Sequence, residues 1–301
     1  MRKYIVFFIV IFTTIPSVMA QTIEVEGHVR DSERNDLIGA TVCKWVKIQI
    51  DETGLYQLTY DELRECGFSD PSHVAVFGYG GAMLSEDFST EYVDDLPQIP
   101  VLHTGNKLIF YGQGVLSWSV QNGLFVRSRN PYSMYGYYFL TQPDTAPLSP
   151  ESVASSTLSP SLAVTTFHDR VLHEVEAVSP GRMGRNFYGE NFLYTTVRNF
   201  SFDIPGITTT PVTAQMRFLA KSTSASSSVS MQINGGETKS ATIAPILDSD
   251  GQTYKCGVEA SIQTTFVRNP ENADVVKISF SGNGATAAYL DYILLNMERE
   301  L

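Results

Sequence analysis

Between residues 199 and 281 the chain alternates apolar and polar residues in four separate runs. Phe200, Phe202 and Ile204 stand against Asn199, Ser201 and Asp203. Val212, Ala214, Met216, Phe218 and Ala220 stand against Thr213, Gln215 and Arg217. Val229, Met231 and Ile233 oppose Ser230, Gln232 and Asn234, and Val276, Ile278 and Phe280 oppose Lys277, Ser279 and Ser281. A period of two places all apolar members on one face of a strand, so each run needs a core on one side only. Asn234-Gly235 tolerates positive φ at both positions and fits a tight type I′ hairpin. Tyr289–Leu295 is apolar on both faces except at Asp291. Short strands with turn signals at this spacing predict a jelly-roll-like β-sandwich over 164–301.

A second organised stretch runs from Trp45 to Gly81. Val46, Ile48 and Ile50 alternate with Lys47 and Gln49, and Tyr56 and Leu58 resume the alternation after a turn at Gly54. Thr59 stands three residues before Glu62, a capping box that opens a short helix. Gly67 suits the left-handed position that ends it. Val74–Phe77 is a continuous apolar run, as expected of a strand buried on both faces. Further strands rich in aromatic and β-branched residues fall at Leu108–Tyr111 and Tyr135–Leu140. The fold class is therefore mainly β: a β-rich domain with one short helix over 44–141, then the sandwich. Residues 142–163 carry Pro143, Pro147, Pro150 and Pro160 among many Ser and Thr, and read as a linker or surface strap.

The Trp45–Gly81 stretch is followed, in order, by several short motifs. They are Asp94-Asp95-Leu96-Pro97, Leu108–Gly114, Asn130-Pro131-Tyr132-Ser133 and Tyr135–Thr141, then Leu172-His173-Glu174, Gly189–Phe192 and Tyr289–Ile293. The set resembles the front part of the sortases of the type IX secretion system, in the gingipain family of cysteine peptidases, from Trp45 to the chain's end. The resemblance implies a non-catalytic region, since the family's peptidase domain lies downstream of anything present in these residues. It also implies a peptidase domain and type IX secretion components as partners, and a sandwich whose last strands lie beyond Leu301. Residues 21–43 (Val25–Asp31, then Leu37–Val42) resemble the opening hairpin of a carboxypeptidase-regulatory-like module.

Residues 1–20 have the form of a secretory signal peptide. Arg2 and Lys3 precede an apolar run from Tyr4 to Ile15, and Val18-Met19-Ala20 supplies small residues before a cut. Removal of this segment leaves 19 basic and 32 acidic residues, a formal charge of −13, which argues against a nucleic-acid surface or anionic lipid. No later run is apolar enough to span a bilayer as a helix. Together with this export signal, the resemblance implies a location in the periplasm or at the outer-membrane surface of a Gram-negative bacterium.

A gingipain-type peptidase needs a thiolate beside a histidine base. The thiols are Cys43, Cys66 and Cys256; the histidines are His28, His73, His103, His168 and His173. None stands in the family's active-site context, so no catalytic residue is assigned. Three cysteines allow at most one intramolecular bridge. His168 and His173, five positions apart, fall on opposite faces of a strand and do not share a metal. The acidic loop with Glu86, Asp87, Glu91, Asp94 and Asp95 lacks calcium-liganding spacing, and Asp248-Ser249-Asp250-Gly251 lacks the glycine and third ligand of an EF-hand loop. No metal or cofactor is expected. Gly78–Gly81 and Gly112–Gly114 read as turns or bulges beside packed aromatics, and Tyr132, Tyr135, Tyr137 and Tyr138 as filling of the first core, with exposed rings that stack on sugars as the alternative. A second functional expectation is a stand-alone surface module whose sandwich binds carbohydrate or a partner protein.

Overall fold

The computed structural model describes residues 21–22, 44–87, 89, 95–154, 162–182, 186–206, 208–247, 251, 254–268 and 273–301. The signal-peptide segment 1–20, nearly all of the leader hairpin (23–43) and Asp248–Asp250 lie outside the described residues. The chain forms two compact units. One comprises residues up to Ser117 together with Ser128–Ala154; the other comprises Trp118–Arg127 and residues from Ser155 to Leu301.

The first unit holds strands β1 (Gln21–Thr22), β2 (Val46–Ile50) and β3 (Gly54–Thr59), helix α1 (Tyr60–Glu65), and strands β4 (Ala75–Phe77), β5 (Gln98–Ile99), β6 (Val101–Thr104) and β7 (Lys107–Gly112). The hairpin β8 (Leu116–Gln121) and β9 (Leu124–Arg129) follows, then β10 (Gly136–Thr141). One sheet has the order β1-β2-β10-β4-β5 and a second β3-β7-β6. Their inward residues, among them Ile48, Leu58, Leu108, Phe110 and Leu140, enclose one core with Leu63 of α1.

The local signals are realised. Glu62 N–H donates to Thr59 Oγ1 at 3.2 Å, and Thr59 N–H donates to Glu62 Oε2 at 2.7 Å. Gly67 has φ +86. The glycine-rich segments are points where backbone meets backbone: a Cβ on Gly81 would lie 2.7 Å from Val115 N, and one on Gly136 would lie 2.6 Å from Gln113 O. Of the four tyrosines expected in the core, Tyr138 is buried and its hydroxyl accepts from Gln113 N–H. Tyr132 and Tyr135 instead face solvent, and Tyr132 donates to Glu86 at 2.8 Å. The Pro-rich segment up to Ala154 belongs to this unit, and Val101 N–H donates to Leu148 O at 2.8 Å. Gln142 Oε1 accepts from Asp70 N–H at 3.1 Å.

The second unit is a sandwich of two four-stranded antiparallel sheets. Its strands are β11 (Thr166–Glu174), β12 (Val197–Phe202), β13 (Val212–Ser222), β14 (Ser227–Ile233), β15 (Thr238–Ile243), β16 (Val258–Phe266), β17 (Asp274–Ser281) and β18 (Ala285–Glu300). The orders are β11-β18-β13-β16 and β12-β17-β14-β15. The apolar members of all four alternating runs pack between the sheets, and Phe218 stacks on Phe280 and meets Phe192 edge-on. Asn234 and Gly235 take φ of +50 and +70 at the β14–β15 turn. The same device closes the β8–β9 turn at Asn122-Gly123. The final strand β18 is central, between β11 and β13.

The second unit also takes in residues from the middle of the 44–141 stretch. Residues 118–127, inside the β8–β9 hairpin, belong to the second unit. The reason lies in β18, which is apolar on both faces. The sandwich core covers one face; Phe125 and Arg127 of the hairpin meet Asn296 and Tyr292 on the other, and Trp118 lies on Arg170 of the neighbouring β11.

Candidate functional site

A cluster of buried and half-buried charges lies under that hairpin, and a bulge in β18 creates it. Arg217 of β13 pairs with Tyr292 and Phe218 pairs with Leu290, so Asp291 is an extra residue on β18. The inward set of β18 changes there from Ala288 and Leu290 to Ile293, Leu295 and Met297. Asp291 and Tyr292 therefore both serve the outer face, the re-aiming that bulges produce.

Asp291 sits between two guanidiniums. Arg127 Nη2, from β9, is 3.0 Å from Asp291 Oδ1 and 2.9 Å from Glu174 Oε1 on β11. Arg217 Nε is 3.0 Å from Asp291 Oδ2, and Arg217 Nη2 also bonds Glu259 on β16. Tyr188 O–H donates to the same Glu259 carboxylate at 2.8 Å. The Arg127 guanidinium lies 4.2 Å from the Tyr292 ring centre. Beside it, Arg170 lies 4.2 Å from the Trp118 ring and 4.6 Å from Phe125. Phe125 N–H donates to Asn296 Oδ1 at 2.7 Å, so an amide side chain of β18 takes the place of a strand partner.

Three carboxylates face two guanidiniums in this chain of contacts. Burial pushes the Asp291 carboxyl up to about 6, against the pull of Arg127 and Arg217, with Glu174 and Glu259 adding to the rise. Each arginine keeps a second carboxylate, so a proton on the central one strands no positive charge. Burial also raises the Tyr188 and Tyr292 hydroxyls, Tyr188 further through Glu259. Burial lowers Arg217, but Glu259 and Asp291 more than offset it. Carboxylate oxygens of Glu174, Glu176 and Asp291 lie within 4.8 Å of one another. Arg127 already supplies positive charge to two of them, so the arrangement reads as a structural charge network.

The candidates named from sequence are scattered. His73 pairs with Asp70 at 2.6 Å and His173 with Glu190 at 2.8 Å. Burial raises Glu190, but the His173 bond, its own backbone N–H and the Arg198 charge together more than offset it, so its pKa is lowered. His103 Nε2 donates to Val74 O at 3.0 Å, which leaves Nδ1 to accept from Tyr60 O–H; burial lowers its pKa. His168 and His173 both lie on β11, opposite Glu298 and Ile293. Cys66 and Cys256 are free thiols, and burial raises Cys66. Cys43 and His28 lie outside the described residues. In the acidic loop, Asp87 accepts from Ser89, whereas Glu91 and Asp94 are outside the described residues. The sequence reading missed the Arg127–Asp291 network; its one signal was the lone charge in an otherwise apolar strand.

No family model matches the chain, and no curated protein does. No helix among the described residues is long and apolar enough to cross a membrane. Two family 35 carbohydrate-binding modules, from Clostridium thermocellum and Cellvibrio japonicus, align with 43% and 44% of the chain and 90% and 97% of their own lengths. They are 14% and 15% identical, with TM-scores of 0.25 and 0.28, too low to imply a shared fold or ligand. The dimeric latent PorU of Porphyromonas gingivalis is 33% identical over 85% of the chain, with a TM-score of 0.72, and the match spans 24% of PorU. The chain is therefore PorU-like in sequence and fold along most of its length, and it corresponds to about a quarter of that protein.

Proposed function

We propose that this chain is the exported, non-catalytic front region of a PorU-like sortase, a β-rich scaffold for a peptidase domain and for type IX secretion components. The observation that carries the reading is the match to a 24% share of PorU at 33% identity. The signal-peptide pattern of residues 1–20 supports export to the periplasm or outer-membrane surface of a Gram-negative bacterium. A scaffold role accords with a second unit whose central strand is covered on both faces and whose buried charges are mutually paired.

The size of the native product tests this reading. An antibody against residues 164–301 is expected to reveal, in the host, a band well above the 33.3 kDa of this chain. A band at or below that size overturns it. Hydrolysis of a sorting-signal peptide by this chain alone, lost on Cys256→Ala, would overturn the non-catalytic assignment.

A further inference from the structure

The second unit carries a cleft of about 450 Å³ between the loop that leads into β12 and the turn between β17 and β18. The loop is held at both ends. Phe192 is fully buried, Asn191 O accepts from Arg198 at 2.9 Å, and Thr196 O accepts from Phe280 N–H at 2.8 Å. Between these anchors Tyr194 lines the cleft and is 94% exposed. At that exposure its aromatic faces are free to meet a ligand.

The opposite wall is the β17–β18 turn with Phe280, Ser281, Gly282, Gly284 and Ala285. Gly284 has φ +69, and a Cβ on Gly282 would lie 2.5 Å from Ser227 Oγ. Those Cβ positions point at Ser227 and Ser224, so the turn's own packing requires both glycines. Thr196 and Ser281 also line the cleft, and no charged side chain does so among the described residues. A charged ligand would lose hydration there without a counter-charge. A flat ring with an apolar C–H face and a rim of hydroxyls matches an exposed phenol opposite backbone and hydroxyl groups.

We propose that this cleft is a binding site for a neutral sugar ring, stacked on Tyr194. The site stands independently of the sortase reading. The anchors fix the backbone on either side of Tyr194 before binding, which lowers the loop's ordering cost on association.

Saturation-transfer NMR on the full chain tests it, with methyl glycosides of glucose, galactose, mannose and N-acetylglucosamine as probes and methyl glucuronide as the charged counter-probe. At least one neutral glycoside is expected to bind saturably. Tyr194→Ala should weaken that binding by at least ~10-fold, and Tyr194→Phe should keep it. Absence of saturable binding by every probe overturns the proposal, as does binding unchanged in Tyr194→Ala. Preference for the glucuronide overturns the neutral assignment.

Discussion

Arg127 and Asp291 are separated by 164 positions in the chain, yet their side chains meet at 3.0 Å with 13% and 7% of their surface exposed. The contact fastens the β8–β9 hairpin to the bulge of β18, and Glu174 and Tyr292 hold the same guanidinium. Removal of the cation leaves two buried carboxylates short of a partner. Arg127→Ala is therefore expected to destabilise the second unit by about 3 kcal/mol. Arg127→Lys should recover only part of that, because an ammonium lacks the planar guanidinium face that lies on the Tyr292 ring. The chain has two tryptophans, Trp45 and Trp118. Urea unfolding followed by Trp118 fluorescence in a Trp45→Phe background isolates the hairpin. An unchanged midpoint in Arg127→Ala would show that the contact contributes nothing.

Acidification has an opposite effect at Asp291. Its folded pKa of about 6 lies above the ordinary 3.8, so the folded chain binds the proton more tightly than the unfolded chain. This contribution is fully present below pH 4 and is lost as pH rises through 6. The difference of about two pH units corresponds to about 3 kcal/mol. Asp291→Asn, which imitates the protonated group, is expected to be more stable than wild type at pH 7.5 and to match it at pH 4. Equal pH slopes for the two proteins between pH 4 and 7 would refute this.

The capping box predicts a smaller, local effect. Thr59→Ala removes the acceptor for Glu62 N–H and should cost the first unit about 1 kcal/mol. Thr59→Ser should restore it. Thermal unfolding by circular dichroism separates the two.

Two glycines should respond differently to the same substitution. Gly136→Ala drives a methyl to 2.6 Å from Gln113 O, where only backbone could move away, and should cost about 3 kcal/mol. Gly235 has φ +70 but open space around it, so Gly235→Ala should cost about 1 kcal/mol, from backbone strain alone. Comparable losses for both would contradict the close approach at Gly136.

The sequence alone determined the local elements. The alternation at 212–220, 229–233 and 276–280 predicts strands with those inward faces, and Met216, Met231 and Ile278 are indeed buried. Thr59 with Glu62, and Asn234 with Gly235, marked a helix start and a tight turn because their physics involves only neighbouring residues. Asn122-Gly123 carries that same turn signal, and the reading passed over it. Only the tertiary structure decided what covers the second face of Tyr289–Leu295, that Asp291 occupies a bulge, and that residues 118–127 serve the second unit. Tyr194 likewise has no sequence mark of its exposure. Periodicity shows that a face needs a partner, but many segments could satisfy an apolar face equally well in composition. The choice among them rests on shape and on charge pairing across more than a hundred residues, which no local window contains.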